Sequence, residues 1–386
     1  MVQAAVEQQD SAMKILNVNR SVDPMGGGTA ERTFQMSRFL SRRGEDVTVL
    51  ITDKNLNQDV VESLKPGKVM TIPILNERFH IPGPSSLRLI NSLVSQTDVV
   101  HLMAHWGFVN ALVYWAARRL KKPYVVCPAG SFTPYGRSRY LKTLFDLVVG
   151  RKMVRQAHGL IAVTEKEKQD FARYGIDLSR ITVLPNAIDP DNFKDNRTAE
   201  FRAKYKLESH QFIFFLGRLN PIKGPDLLLS AFGQLRETPY HLVLAGSDEG
   251  LQGQLEADAN RLGIRDRVHF VGHLSRQEKS QALHACSVLA IPSRFEAMSI
   301  VALEAGATAT PVLLTDQCGF DDIEKIGGGF VVTASVEGLA TGLDRIIKCD
   351  LQEMGRRLQT YCLEHFSWDS MVARYVNTYQ SILERS

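Results

Sequence analysis

The sequence predicts an α/β protein of two domains, each a parallel sheet with helices on both faces. Three observations predict it. The chain has 386 residues, and a single hydrophobic core rarely grows past ~250–300. Strand-length apolar runs alternate with helical spacing along its length. A turn-rich stretch, Pro185-Asn186-Ala187-Ile188-Asp189-Pro190, interrupts the alternation near the middle, and the pattern restarts after it.

Residues 13–18 form an apolar run, and Gly26-Gly27-Gly28 follows. Residues 29–43 then place Ala30, Phe34, Met36, Phe39 and Leu40 at helical spacing, Gly44 stops them, and 47–52 reads as a strand. Strand, glycine turn, helix, strand opens a parallel βαβ arrangement. Further strands are expected at 99–103, 124–127, 159–163 and 181–184, with helices at 111–120, 138–156 and 166–174. After a polar helix at 200–206, strands are expected at 212–216, 241–245, 268–271, 288–291 and 312–314. Helices at 226–235, 255–262, 278–285 and 300–306 separate them. Residues 368–383 read as one amphipathic helix that could pack on either domain. The expected divisions are 1–188, 189–365 and a tail, 366–386.

Hydrophobic residues make up 44% and charged residues 23%, which suits two soluble cores and excludes a disordered or fibrous chain. The net charge of +4 is unevenly placed: residues 1–188 hold 25 Lys and Arg against 16 Asp and Glu, and the remainder hold 21 against 26. A basic half joined to an acidic half points to different partners for the two. Cys127, Cys286, Cys318, Cys349 and Cys362 are scattered without CxxC spacing, so isolated thiols in a reducing cytoplasm are expected. Residues 1–12 are polar and expected to be a loose start. No apolar run approaches the ~20 residues of a membrane span, which leaves a cytoplasmic protein with peripheral contact at the inner membrane face open.

Three motifs carry chemistry. Gly26-Gly27-Gly28 allows backbone N–H groups to approach a phosphate or sugar at a helix N-terminus. Gly217-Arg218-Leu219-Asn220-Pro221-Ile222-Lys223-Gly224 follows a strand directly, placing two cations at the sheet edge where α/β folds bind ligands. Arginine can hold a phosphate bidentately and lysine supplies a point charge. The loop lacks the GxxxxGK[ST] spacing of a Walker A loop. Third, Glu296 and Glu304 stand eight residues apart across a helix start. Ala297, Met298 and Ser299 between them are expected to present free N–H groups, and Glu304 is placed to accept from two adjacent ribose hydroxyls.

Taken together, these motifs resemble the retaining GT-B-fold glycosyltransferases of the E-x7-E type, family 4, also called glycosyltransferase group 1. Glu296 to Glu304 matches the E-x7-E, residues 217–224 match GRxxxxKG, and Pro185 to Asp189 resembles the inter-domain PNGID with Ala187 in place of glycine. Gly27-Gly28 resembles the N-terminal glycine loop, and Phe366-Ser367-Trp368 the start of a C-terminal crossing helix. The resemblance implies two Rossmann-like domains facing a central cleft, the first on the acceptor side and the second binding the nucleotide sugar. The crossing helix would pack back on the first. It implies that Arg218 and Lys223 bind a donor diphosphate, that Glu304 binds ribose, and that Glu296 with the backbone of Ala297 to Ser299 contacts the transferred sugar. It also implies a histidine near that sugar. His105 is favoured because it lies past a strand end, with His101 the competitor. Loops near Gly246 and Gly272-His273 are expected to contact the base.

The reaction implied transfers a sugar with retention from a nucleoside-diphosphate sugar, a co-substrate and not a cofactor. No metal site is expected, since no DxD stands in a suitable loop. The acceptor is expected to be a saccharide or a lipid-linked sugar in polysaccharide or glycoconjugate synthesis. Arg137, Arg139, Lys142, Arg151, Lys152 and Arg155 interleave with Tyr140, Leu141, Leu144, Phe145, Leu147, Val148, Val149, Met153 and Val154, a pattern that lies on anionic membranes or packs as a core helix with charged ends. Rival readings are a sugar-nucleotide isomerase of the same fold and a non-catalytic sugar-nucleotide sensor. A nicotinamide-dependent oxidoreductase fails on the missing GxGxxG. Nucleic acid is not an expected partner, because the cations belong to no recognised binding module.

Overall fold

Short β-branched runs bounded by glycine and turn residues satisfy their backbone groups when buried in a parallel sheet. The computed structural model describes residues 12–23, 26–52, 58–76, 81–132, 139–235 and 238–386. Residues 1–11 of the expected loose start, Arg137 and Ser138 lie outside them. Two compact units result: Met1–Leu184 with Val372–Ser386, and Pro185–Met371. The division falls a few residues before the expected one. Leu184 still donates its N–H to Ala162 in the first sheet, whereas the Ile188 N–H donates to the Phe366 carbonyl.

In the first unit β1 is Lys14–Val18, β2 Asp46–Ile51 and β3 Lys68–Thr71, and a small antiparallel pair joins β4 (Ile74–Asn76) to β5 (Ile81–Pro82). Then come β6 (Val99–Met103), β7 (Tyr124–Cys127), β8 (Gly159–Ala162) and β9 (Ile181–Val183). The main sheet is parallel with order β3-β2-β1-β6-β7-β8-β9. The strand order reverses between β1 and β6. The long helix expected at 138–156 is in three pieces: Arg139–Phe145, a π-helical turn Asp146–Gly150, and Arg151–Arg155.

The helix Trp368–Leu383 begins in the second unit and from Val372 belongs to the first. There Arg32, almost fully buried, donates to the Leu184 carbonyl and the Tyr375 hydroxyl. Ile382 packs against Gly159, where an added Cβ would overlap its Cδ1.

His101 on β6 is part of this core. It is fully buried, with Nδ1 2.8 Å from the Tyr379 hydroxyl. Burial, helped by the positive charge of Arg32, pushes its pKa down to about 3. The unfolded imidazole titrates near ~6.5, so between these values the unfolded chain takes up a proton that the folded chain refuses. Stability is therefore highest above pH 6.5 and falls as pH drops toward 3, by up to about 1.4 kcal/mol per pH unit. Melting curves of wild type and His101→Gln between pH 7 and 4 check this: the wild type is expected to lose stability more steeply, and parallel slopes would refute it.

The second unit contains β10 (Gln211–Leu216), β11 (Tyr240–Ala245), β12 (Val268–Gly272), β13 (Val288–Ile291), β14 (Val312–Thr315) and β15 (Gly329–Val332). Its parallel sheet has order β12-β11-β10-β13-β14-β15. This is the doubly wound order whose topological switch point lies between the first and fourth strands, here β10 and β13. A second core of leucine, isoleucine and phenylalanine, including Phe215, Leu228, Leu244, Leu313 and Leu343, packs helices on this sheet.

Candidate functional site

The carboxyl ends of β10 and β13 carry the loops of two of the motifs. Gly217 continues from β10 and donates its N–H to Ala245 at the end of β11. Gly224, at φ 69°, closes that loop, and Pro225 opens the helix Pro225–Phe232. A Cβ on Gly224 would overlap the Pro292 carbonyl oxygen just after β13. The two loops are thus pressed together by a residue only glycine can supply.

Across this junction Lys223 Nζ stands 3.0 Å from Glu296 Oε1, and the Ser293 hydroxyl donates to the same oxygen at 2.5 Å. The Glu296 side chain is only 10% exposed, so lysine and serine meet the demand of a nearly buried carboxylate for partners. Arg218 donates to Glu249 Oε1 and Asn220 to Glu249 Oε2, each at 2.6 Å. Burial raises the Glu249 pKa, but these two hydrogen bonds outweigh it and hold the carboxyl below its ordinary value. Arg218 and Glu249 are both about half exposed, so the pair adds ~1 kcal/mol of stability at most.

Glu304 is the fifth residue of the helix Ile300–Ala307 and is buried. Its Oε1 meets Lys279 Nζ at 2.5 Å. Ser299 caps this helix without a side-chain bond, and its buried hydroxyl has no partner among the described residues. The expectation of three free N–H groups is corrected here. Ser299 gives its N–H to Cys318, because Gly319 at φ 64° folds that strand-end loop against Ala297. The N–H groups of Ala297 and Met298 have no acceptor among the described residues. Met298 is tied from the other side, its carbonyl accepting from the Asn186 side chain at 2.9 Å. Gly246, at φ 143°, donates its N–H to Gly272, so the two glycines expected near a base adjoin one another at the ends of β11 and β12.

In the first unit Gly27, at φ 98°, precedes the helix Gly28–Arg42, and no atom of the described residues lies within 4 Å of a Cβ placed there. His105 does lie past the end of β6, but its side chain turns inward. It is fully buried among the rings of Trp106, Phe132, Phe145 and Tyr174. Its Nε2 is 2.7 Å from Asp146 Oδ1, and Tyr174 donates to the same carboxylate. Burial pushes its pKa below the ordinary value against the pull of Asp146. Gly150 makes room: a Cβ there would lie 2.9 Å from His105 Nε2. As placed, neither His105 nor His101 meets solvent, so the reading of His105 as a group open to a sugar does not match its surroundings.

The basic, apolar segment is divided. Val149, Met153 and Val154 enter the core, while Tyr140, Leu141, Leu144, Leu147 and Val148 are each more than half exposed. Its one carboxylate, Asp146, is engaged with His105. Among the described residues no helix is long and apolar enough to cross a membrane.

Sequence reading missed Glu249, Ser293 and Lys279. Glu249 had a signal, an acidic pair immediately beyond a strand and Gly246. Lys279 had none, since one lysine in a polar helix resembles any solvated cation.

Residues 26–192 match the model described as Glycosyltransferase Family 4, and residues 196–363 match Glycosyl transferases group 1. The chain is 28% identical over 407 residues to the D-inositol 3-phosphate glycosyltransferase of Xylanimonas cellulosilytica, covering 93% of each. The corresponding enzyme of Mycolicibacterium gilvum is 26% identical, over 92% of this chain and 84% of the relative. Among solved structures, Anabaena Alr3699/HepE in complex with UDP superposes with a TM-score of 0.80 at 20% identity, over 96% of this chain and 100% of that one. WaaG, a glycosyltransferase involved in lipopolysaccharide biosynthesis, does so at 0.70 and 20% identity, over 94% and 98%. Matched by family models in both units, and with the GT-B fold, the chain belongs to the group 1, family 4 glycosyltransferases.

Proposed function

We propose that this glycosyltransferase moves a sugar with retention, and without a metal ion, from a nucleoside-diphosphate sugar to a saccharide or lipid-linked hydroxyl. The observation that carries the donor half is the Lys223–Glu296 pair at the β10/β13 switch point, with Arg218 on the same loop. Doubly wound sheets bind ligands at that place. In this reading Lys223 and Arg218 exchange their carboxylates for the diphosphate and offset charge as it leaves. Glu296 and the N–H groups of Ala297 and Met298 hold the sugar, and Glu304 holds the ribose. The Gly246 and Gly272 loops adjoin the base, and on the first unit by itself Gly27 and Gly28 leave backbone room for a phosphate or sugar. His105 acts as a positioning residue through Asp146.

In the transfer, the bond from the anomeric carbon to the diphosphate oxygen breaks. The bond to the acceptor oxygen forms on the same face, and the acceptor proton passes to the departing phosphate. Fixed cations supply the charge that a metal supplies elsewhere. An NMR spectrum of fresh product tests retention, and an inverted anomeric centre would refute it.

HepE has been solved with UDP and with UDP-glucose, which makes UDP the first ligand to try. A thermal-shift panel of UDP, GDP, ADP and CMP is expected to single out one nucleotide. At about 100 times its Kd it adds ~2.7 kcal/mol, a shift of several degrees that Arg218→Ala and Glu304→Ala abolish. No shift from any of them would overturn the donor reading. Turnover of the matching sugar nucleotide separates the enzyme from a mere sensor.

On the acceptor side, the exposed Tyr140, Leu141, Leu144, Leu147 and Val148 beside Arg151 and Lys152 favour peripheral contact with an anionic membrane. Co-sedimentation with vesicles containing phosphatidylglycerol is expected, and Leu144→Glu with Leu147→Glu should reduce it by about tenfold or more. Equal sedimentation of the double variant would dismiss this surface.

A further inference from the structure

We propose that Lys279 is a specificity-determining residue that, with Glu304, reads the vicinal diol of a ribonucleoside. This rests on the reading of Glu304 as the ribose carboxylate. Glu304 lies on the helix Ile300–Ala307 and Lys279 on the helix Arg276–Ala285. Their Nζ–Oε1 distance is 2.5 Å. The two side chains are not equally enclosed: that of Glu304 is 6% exposed and that of Lys279 24%. The carboxylate is sunk and the ammonium remains within reach of a ligand.

The placement of Lys279 is built, not incidental. Ser275 and Glu278 form a capping box that fixes the first turn of its helix. Ser280 donates to the Asp195 carbonyl at 2.8 Å, and Gln281 to the Asp195 carboxylate at 3.1 Å. The Phe193 ring lies 5.4 Å from Nζ, and the Phe193 carbonyl is itself 3.0 Å from His284 Nε2. The ammonium is thus held between a ring face and a carboxylate.

The chemistry follows from what each group can do. An ionised carboxylate only accepts hydrogen bonds, and an ammonium only donates, with three N–H groups. Glu304 takes one and the Phe193 face a second, which leaves a third for a ligand. Each hydroxyl of a vicinal diol both donates and accepts. Two adjacent hydroxyls can therefore give a proton to Glu304 and receive one from Lys279, whereas a deoxyribose leaves one of the two charged groups unanswered. A site that loses a hydrogen bond to a charged group loses about 10- to 100-fold in affinity.

Calorimetric titration of the full chain with UDP, GDP and ADP, then with the 2′-deoxy and 3′-deoxy forms of whichever binds, tests this. Wild type is expected to prefer the ribose form by about tenfold or more, Lys279→Met to lose most of that preference, and Lys279→Arg to keep it. Should Lys279→Met fail to fold, as judged by its melting curve, Lys279→Gln takes its place. The proposal is overturned if the methionine variant keeps the wild-type ratio, including where its affinities for both forms fall together. That last pattern marks a lysine that only neutralises Glu304. Loss of the preference in Glu304→Gln but not in Lys279→Met defeats this inference alone. Wild type that binds none of the diphosphates defeats the donor reading and this inference with it.

Discussion

Lys223→Ala lowers kcat/KM by about 100- to 1,000-fold, the loss seen when one fixed group that stabilises transition-state charge is removed. Lys223 sits at the switch point of the second sheet, 3.0 Å from Glu296. If its charge serves the leaving phosphate, the interaction strengthens as the bond to the sugar breaks. The loss should then fall mainly on kcat and less on KM. A second effect acts in the same direction: Glu296, nearly buried, keeps only Ser293 of the two partners on its Oε1. Steady-state rates with the donor chosen by thermal shift measure this, with Lys223→Arg expected to recover part of the activity. A loss smaller than tenfold would remove Lys223 from the chemistry and leave it a structural partner of Glu296.

Gly246→Ala destabilises the second unit by about 3–5 kcal/mol, from backbone strain and overpacking combined. Gly246 has φ 143°. An added Cβ would overlap the Gly217 carbonyl oxygen and stand 2.6 Å from its carbon. Relief requires parting the ends of β10 and β11, which moves Arg218 away from Glu249. At about 2–4 °C per kcal/mol for a unit of this size, the melting transition falls by roughly 6–20 °C. Gly263→Ala is the control, because Gly263 has φ 70° but open space around it. It should cost only the ~1 kcal/mol of the left-handed backbone. Equal effects of the two substitutions in a calorimetric scan would show that φ, not crowding at the site, sets the cost.

Strands of the first half were legible wherever β-branched residues ran together, as at Val99–Met103 and Tyr124–Cys127. Two elements that escaped sequence reading, β15 and the helix Leu351–His365, have weak local signals. β15 follows two glycines and is stabilised by pairing with β14, where a Cβ on Gly329 would overlap the Val312 carbonyl. The helix Leu351–His365 carries Gly355 in its interior, a residue that disfavours a helix by about 1 kcal/mol. It survives because Gly355 packs directly on the Ala309 carbonyl. In both cases a long-range contact outweighs a local preference.

By itself the sequence determined two α/β domains, the loops that leave β10 and β13, and the spacing that puts Glu296 before a helix and Glu304 within it. These are local matters of periodicity, glycine and chain direction. Only the tertiary structure decided which charges meet. Arg218 finds Glu249 31 residues on, and Glu304 finds Lys279 25 residues back. Strand order and helix packing create these neighbours, and no spacing along the chain encodes them. It also decided that His105, placed past a strand end as the sequence suggested, turns away from solvent. Four aromatic rings and Asp146 surround it more completely than any open loop position would, because Gly150 leaves the space.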